Sequence, residues 1–212
     1  MKQAFTLIEL IISIGIIVTI GSIIIIGQND FNRSVKLQNL AHEIATLIRD
    51  TQSRAVNVDS SGSDDYFGYG LYLAPPTASG SDGLDEIVVF RNPPNNTSVQ
   101  PSDYEYDAKY TTTEDTIIET MVLPPGFKIK RILSNEAVTS VCPFVNRQND
   151  HPRTIAFARP EMTAMMTRNN ATNRQFLWMA LELYSESDPT QVRYVNINAS
   201  GLIYTSSDLP SC

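Results

Sequence analysis

Cysteine is scarce in this 212-residue chain. There are only two, Cys142 and Cys212, far apart and never as CxxC, beside two histidines, His42 and His151. That scarcity excludes a zinc site built from closely spaced ligands. Basic charge is also in short supply, with 16 Lys and Arg against 23 Asp and Glu and a net charge of −7. No basic cluster breaks that background to neutralise phosphates, which argues against a nucleic-acid partner. Also missing are a Ser-His-Asp order, a paired carboxylate in a strand context and a glycine-rich phosphate loop. The chain therefore reads as a non-enzyme, with His42 and His151 as surface residues. The length suits one domain with an appendage.

Charge is rarest in the N-terminal segment. From Phe5 to Ile26 the chain is nearly all Ile, Leu, Val and Gly, and Glu9 is its only charged group. About twenty apolar residues suffice to cross a bilayer. Roughly fifteen large apolar side chains, at about −0.3 to −0.6 kcal/mol each, outweigh the cost of one carboxylate near the segment's end. The run leads into Gly27-Gln28-Asn29-Asp30 rather than a small-x-small cleavage site, so it does not read as an ordinary signal peptide. Lys2 precedes the run and Asp30 follows it, which places Met1 in the cytoplasm and the bulk of the chain outside. Beyond Gly27, Phe31, Val35, Leu40, Ile44, Leu47, Ile48, Thr51 and Ala55 recur at three- and four-residue steps. That spacing predicts an amphipathic helix with one packing stripe. The two helical segments read as one rod of about 75 Å, with Gly21 and Gly27 as its loosest points.

The order Ala4-Phe5-Thr6-Leu7-Ile8-Glu9-Leu10, followed by apolar residues, resembles the cleavage and methylation motif of type IV pilins and type II secretion pseudopilins. The resemblance implies that a prepilin peptidase cuts between Ala4 and Phe5 and methylates the new Phe5 amine. It also implies that Glu9 pairs with the N-terminal amine of a neighbouring subunit. A buried carboxylate is tolerable in lipid when paired with a cation. The alternative is that Glu9 snorkels to the interface. Ala4 departs from the family's usual glycine, and the leader Met1 to Ala4 is short. The implied partners are other pilin or pseudopilin subunits, the peptidase, an inner-membrane assembly platform and membrane lipid. The implied location is the inner (cytoplasmic) membrane, then an extracytoplasmic filament serving a pilus or protein transport.

After Val58 the periodicity falls to two or to short apolar runs bounded by Pro, Gly, Asn and Asp, which predicts strands. The candidates are Phe67 to Leu73, Glu86 to Phe90, Thr116 to Leu123, Phe127 to Leu133, Arg153 to Ala158, Phe176 to Tyr184, Val192 to Asn198 and Leu202 to Tyr204. Pro124-Pro125-Gly126 and Ala199-Ser200-Gly201 read as hairpin connections. The strings YGLYL (Tyr69 to Leu73) and RYVNINASGLI (Arg193 to Ile203) look like strand patterns of H-type minor pseudopilins. The expected fold class is α+β and pilin-like: a long N-terminal helix, half membrane-spanning and half amphipathic, packed on an antiparallel sheet. Its divisions are a leader at 1–4, a transmembrane and filament-core helix at 5–27, an amphipathic helix at 28–58 and a β-rich extracytoplasmic domain at 59–212.

Asp82, Asp85 and Glu86 are the candidate calcium ligands, with a solvated acidic loop as the alternative. No other cofactor is expected. If the domain lies in an oxidising compartment, Cys142 and Cys212 are expected to pair, worth about 4 kcal/mol in the chain-entropy model. Two buried free thiols are the alternative. Met162, Met165 and Met166 read as gap-filling core or an adaptable contact. The rival function is a signal-anchored β-rich binding protein or adhesin that never assembles.

Overall fold

The computed structural model describes the backbone of residues 6–57, 68–73, 85–92, 116–136, 153–157, 163–168 and 175–209, with the side chains of 23–30, 92, 135, 136, 168 and 175 outside the described set. The N-terminal element is α1, Leu7–Val56, 50 residues in one continuous helix. It starts at Thr6, an N-cap in extended conformation, and ends at Asn57, whose backbone N–H donates to the Ser53 carbonyl at 2.9 Å. No proline interrupts it.

Among the described residues nine strands follow: β1 (Gly68–Leu73), β2 (Glu86–Asn92), β3 (Thr116–Val122), β4 (Phe127–Glu136), β5 (Arg153–Phe157), β6 (Ala164–Arg168), β7 (Gln175–Ser185), β8 (Asp188–Asn198) and β9 (Ile203–Ser206). They form one antiparallel sheet in the order β3-β2-β1-β5-β6-β7-β8-β9, with β4 joined to β7 off that path. The strand β7 is the hub. It pairs along its length with β4, from Phe127↔Ser185 to Glu136↔Phe176, and with β8, from Trp178↔Asn198 to Ser185↔Asp188. Its first two residues pair with β6 at Met166↔Phe176 and Thr167↔Gln175.

The core lies between one face of this sheet and one stripe of α1. Leu37, Leu40, Ala41, Ile44, Ala45, Ile48, Thr51 and Ala55 are buried at three- and four-residue steps. They meet Leu71, Leu73, Ile87, Val89, Ile155, Phe157, Met179, Leu181, Leu183, Val195 and Ile197. The alternation on β7 follows the two-residue period, with Met179, Leu181 and Leu183 in this cluster while Ala180 joins a smaller one with Leu133 and Tyr194 on the other face. The expected packing stripe holds from Leu40 onward and fails above it, since Phe31 is 68% exposed and Val35 37%. Near this end of the contact Ser34 Oγ accepts a hydrogen bond from Arg193 Nη2 at 3.3 Å, and Phe31 belongs to no buried cluster among the described residues.

Several expectations are corrected. The α+β, pilin-like class with a membrane-spanning half gives way to a mostly β structure dominated by a large curled nine-stranded sheet. Among the described residues no helix is long and apolar enough to cross a membrane. The described side chains stop at Ser22 and resume at Phe31, so only part of the apolar run from Phe5 to Ile26 lies within them. Pro124-Pro125-Gly126 is a turn, with Gly126 at φ 85° and the Phe127 N–H donating to the Pro124 carbonyl at 3.1 Å, but it makes no hairpin. β3 goes to β2 and β4 to β7, because β7 offers an edge matching all of β4 while the Glu186 N–H ties down the Gly126 carbonyl at 2.9 Å. The strand β6 had no place among the expected strands, since its Ala-Met-Met opening carries none of the β-branched or aromatic alternation that marks a strand. Ala199-Ser200-Gly201 does close a hairpin between β8 and β9, with Gly201 at φ 82°.

Candidate assembly face

The first turns of α1 present apolar side chains on every side. Leu7, Ile8, Leu10, Ile11, Ile12, Ile14, Ile16, Ile17, Val18 and Ile20 are all more than half exposed, from 53% at Ile14 and Ile16 to 77% at Leu7. A helix apolar all round belongs in a protein or lipid interior rather than in water. The hydroxyls in this stretch are turned inward: Ser13 donates to the Glu9 carbonyl at 2.7 Å, Thr19 to Ile16 at 2.9 Å and Ser22 to Val18 at 2.8 Å. Their polar atoms are thereby satisfied within the helix, which keeps the outer surface apolar.

Glu9 sits at the start of this surface in a capping box. Its backbone N–H donates to Thr6 Oγ1 at 3.4 Å, while its Oε2 accepts from the Thr6 N–H at 3.3 Å and from the Thr6 hydroxyl at 3.1 Å. The carboxylate also lies against the positive end of the helix dipole. Thr6, the Glu9 partner at this cap, is the residue that sequence reasoning passed over. Its signal was there, since Thr6-Leu7-Ile8-Glu9 matches the capping-box spacing of a hydroxyl followed three residues later by a carboxylate.

Of the other candidate residues, Ala4, Phe5, Asp82, Cys142, Cys212, His151 and Met162 lie outside the described residues. Asp85 and Glu86 are exposed at the start of β2, and the Asp85 carbonyl accepts from the Leu123 N–H at 2.8 Å. No group of three or more His, Cys, Asp or Glu gathers to hold a metal among the described residues. Met166 is fully buried in the core and Met165 half-buried. The exposed His42 approaches Thr205 Oγ1 at 3.5 Å, a contact between α1 and β9 rather than a reactive pair.

No family model, curated relative or solved structure matches this chain.

A cleft of about 330 Å³ lies where α1 passes the β3–β4 and β7–β8 turns, lined by Arg33, Lys36, Ser185 and Ser187 among others. Its lining carries two cations, Arg33 and Lys36, and no carboxylate, with three more charged groups nearby. Lys128 pairs with Glu186 at 2.7 Å, and the hydrogen bond to Glu186 holds the Lys128 ammonium above its ordinary range. Asp188 is held below the ordinary carboxylate range, first by the Thr190 hydroxyl at 2.6 Å and then by the Thr190 N–H at 3.1 Å, with Arg33 adding a smaller effect. The arrangement that stands out is the unpaired apolar helix with one carboxylate at its cap.

Proposed function

We propose that this chain is a structural subunit, a pilin or minor pseudopilin, of a type IV pilus or type II secretion pseudopilus. It polymerises by packing the N-terminal part of α1 against the same part of other copies. The observation that carries the reading is the apolar surface from Leu7 to Ile20, exposed on all sides of a lone chain. The motif Ala4-Phe5-Thr6-Leu7-Ile8-Glu9 supports it, because processing between Ala4 and Phe5 creates a methylated amine one residue before the cap. An amine so placed is a cationic partner for a carboxylate, and Glu9 of a neighbouring copy would accept it, setting the register of the packed helices. Before assembly the subunit is held at the inner membrane through α1, with its N-terminus cytoplasmic and the β-sheet outside. In the filament the sheet forms the outer surface. The partners are other copies, the prepilin peptidase, the assembly platform and membrane lipid; this reading gives the chain no catalytic role.

The capping box favours a second reading. Glu9 already has a partner in Thr6 of its own chain, as it would in a tethered binding protein or adhesin that never assembles. Mass analysis of the mature N-terminus separates the two. A methylated Phe5 supports the filament subunit, and an intact Met1 the tether. Glu9→Leu is expected to leave the chain at the membrane and to reduce its incorporation into filaments; undiminished incorporation would sink the role given to Glu9.

A further inference from the structure

The packing stripe of α1 fails at Phe31 and Val35, one turn apart and both exposed. At the same level of the helix the cleft of about 330 Å³ opens between α1 and the turns that carry Gly126 and Ser187. Among the described residues no carboxylate lines it. Arg33 is engaged within its own chain, but Lys36 is exposed and has no hydrogen bond or ion pair among the described residues. Ser185 and Ser187 share one hydrogen bond at 2.9 Å. Whichever hydroxyl accepts it keeps its own proton to donate. The cleft thus offers an ammonium and a hydroxyl donor, which together suit an anion rich in acceptor oxygens.

Its level on α1 narrows the choice of anion. With Leu7 at the inner edge of a bilayer's hydrocarbon, that layer ends about 30 Å away and the outer headgroups about 37 Å away. Arg33 and Lys36 stand about 39 and 44 Å along the helix axis from Leu7. A tilt of about 20° lowers both by about 2–3 Å. Helix side chains also lean toward the N-terminus, so the long Lys36 side chain reaches back to the headgroup layer. The same placement accounts for the exposed Phe31 and Val35, which enter the boundary between headgroups and acyl chains.

We propose that this cleft binds the phosphodiester of an anionic phospholipid in the outer leaflet, Lys36 meeting its charge and the Ser185–Ser187 pair donating to one of its oxygens. The inference rests on the membrane-held subunit proposed above, since it needs the first half of α1 in the bilayer. A lipid held there by both α1 and the β7–β8 turn fixes the depth of the helix and the facing of the sheet. A zwitterionic headgroup suits the site less well, because its own ammonium would stand near Arg33 and Lys36.

The test titrates the full-length, nitrogen-15-labelled chain in a neutral maltoside detergent with phosphatidylglycerol, phosphatidylcholine or inorganic phosphate, following amide resonances. Phosphatidylglycerol is expected to give saturating shifts at Gly126, Phe127 and Ser187. Lys36→Gln should weaken this binding about tenfold, while Lys36→Arg retains it. Arg54→Gln, at the far end of α1, should leave it unchanged. An otherwise unaltered Lys36→Gln spectrum excludes misfolding as the cause. No saturating shift at those amides, equal affinity for phosphatidylcholine, or indifference to Lys36→Gln overturns the proposal. Inorganic phosphate that binds as tightly as phosphatidylglycerol overturns the lipid as its source. Lipid binding as expected on a chain that keeps Met1 brings down only the filament reading. A methylated Phe5 on a chain whose cleft ignores the lipid brings down only the cleft. A chain that does not float with vesicles of equimolar phosphatidylcholine and phosphatidylglycerol overturns both.

Discussion

Arg49 Nη2 donates to the Ile203 carbonyl oxygen at 2.8 Å, joining α1 to β9 across 154 positions of sequence. One turn further along the helix, Gln52 Nε2 donates to the Gly201 carbonyl at 3.2 Å. Together they clamp α1 onto the β8–β9 hairpin. Arg49→Ala is expected to destabilise the fold by about 1–2 kcal/mol, because the bond is charge-assisted and its acceptor is partly buried. Arg54→Ala, which removes only surface pairs, should cost about 0–1 kcal/mol. Urea unfolding of the two variants checks the order.

Glu182 is 2% exposed and faces Arg131 and Lys130, which are 32% and 46% exposed. The partners are therefore unequal in what their loss leaves behind. Glu182→Leu frees two cations that can turn to water, and should cost about 1–2 kcal/mol once solvent screening is counted. Arg131→Ala leaves a buried carboxylate with only Lys130 at 3.5 Å to oppose its charge and should cost more, about 2–4 kcal/mol. Equal losses in thermal unfolding would contradict this ordering.

A methyl group on Gly70 would stand 2.5 Å and 2.8 Å from two ring atoms of Phe90 and 3.0 Å from the Ile155 carbonyl. Phe90 is fully buried, so the ring has no room to withdraw. Gly70→Ala should therefore destabilise by about 1–3 kcal/mol. Gly15 and Gly21 meet nothing within 4 Å. Gly15→Ala should leave the β-sheet's unfolding unchanged and raise helix stability by up to about 1 kcal/mol. Loss of filament incorporation in that variant would show that copies approach closely at Gly15.

Asp188 has a folded-state pKa below its ordinary value of 3.8, principally through the Thr190 hydroxyl. A depressed carboxylate contributes stability that is fully present above the unfolded value and is lost as pH falls from there through the folded value. Acidification below about pH 3.8 should therefore withdraw this contribution. In Thr190→Val the Asp188 pKa should rise toward 3.8, which an NMR titration of its carboxyl carbon reads directly.

The elements with strong local periodicity were legible in the chain alone. The strands expected at Phe67 to Leu73 and Thr116 to Leu123 lie within one residue of β1 and β3. Those expected at Phe176 to Tyr184 and Val192 to Asn198 fall short of the ends of β7 and β8, where Gln175 and Asp188-Pro189-Thr190-Gln191 carry no apolar alternation. The buried stripe of α1 was legible from Leu40 to Ala55, where it faces the sheet, and not at Phe31, where helical spacing continues but the sheet does not reach. Of the candidate site, Glu9 was legible as a carboxylate out of place. Its bond to Thr6 was overlooked.

What the sequence determined by itself is local: an N-terminal helix with an apolar first half, and runs whose alternation makes them strands. These follow from side-chain spacing within a few residues, which needs no distant partner. Only the tertiary structure decided that β4 leaves its neighbour β3 for β7, that Ala164–Arg168 becomes a strand between β5 and β7, and that Arg49 finds Ile203. Those outcomes depend on surfaces built from segments far apart in the chain. Pairing and burial there outweigh intrinsic preference, as the two adjacent methionines of β6 illustrate.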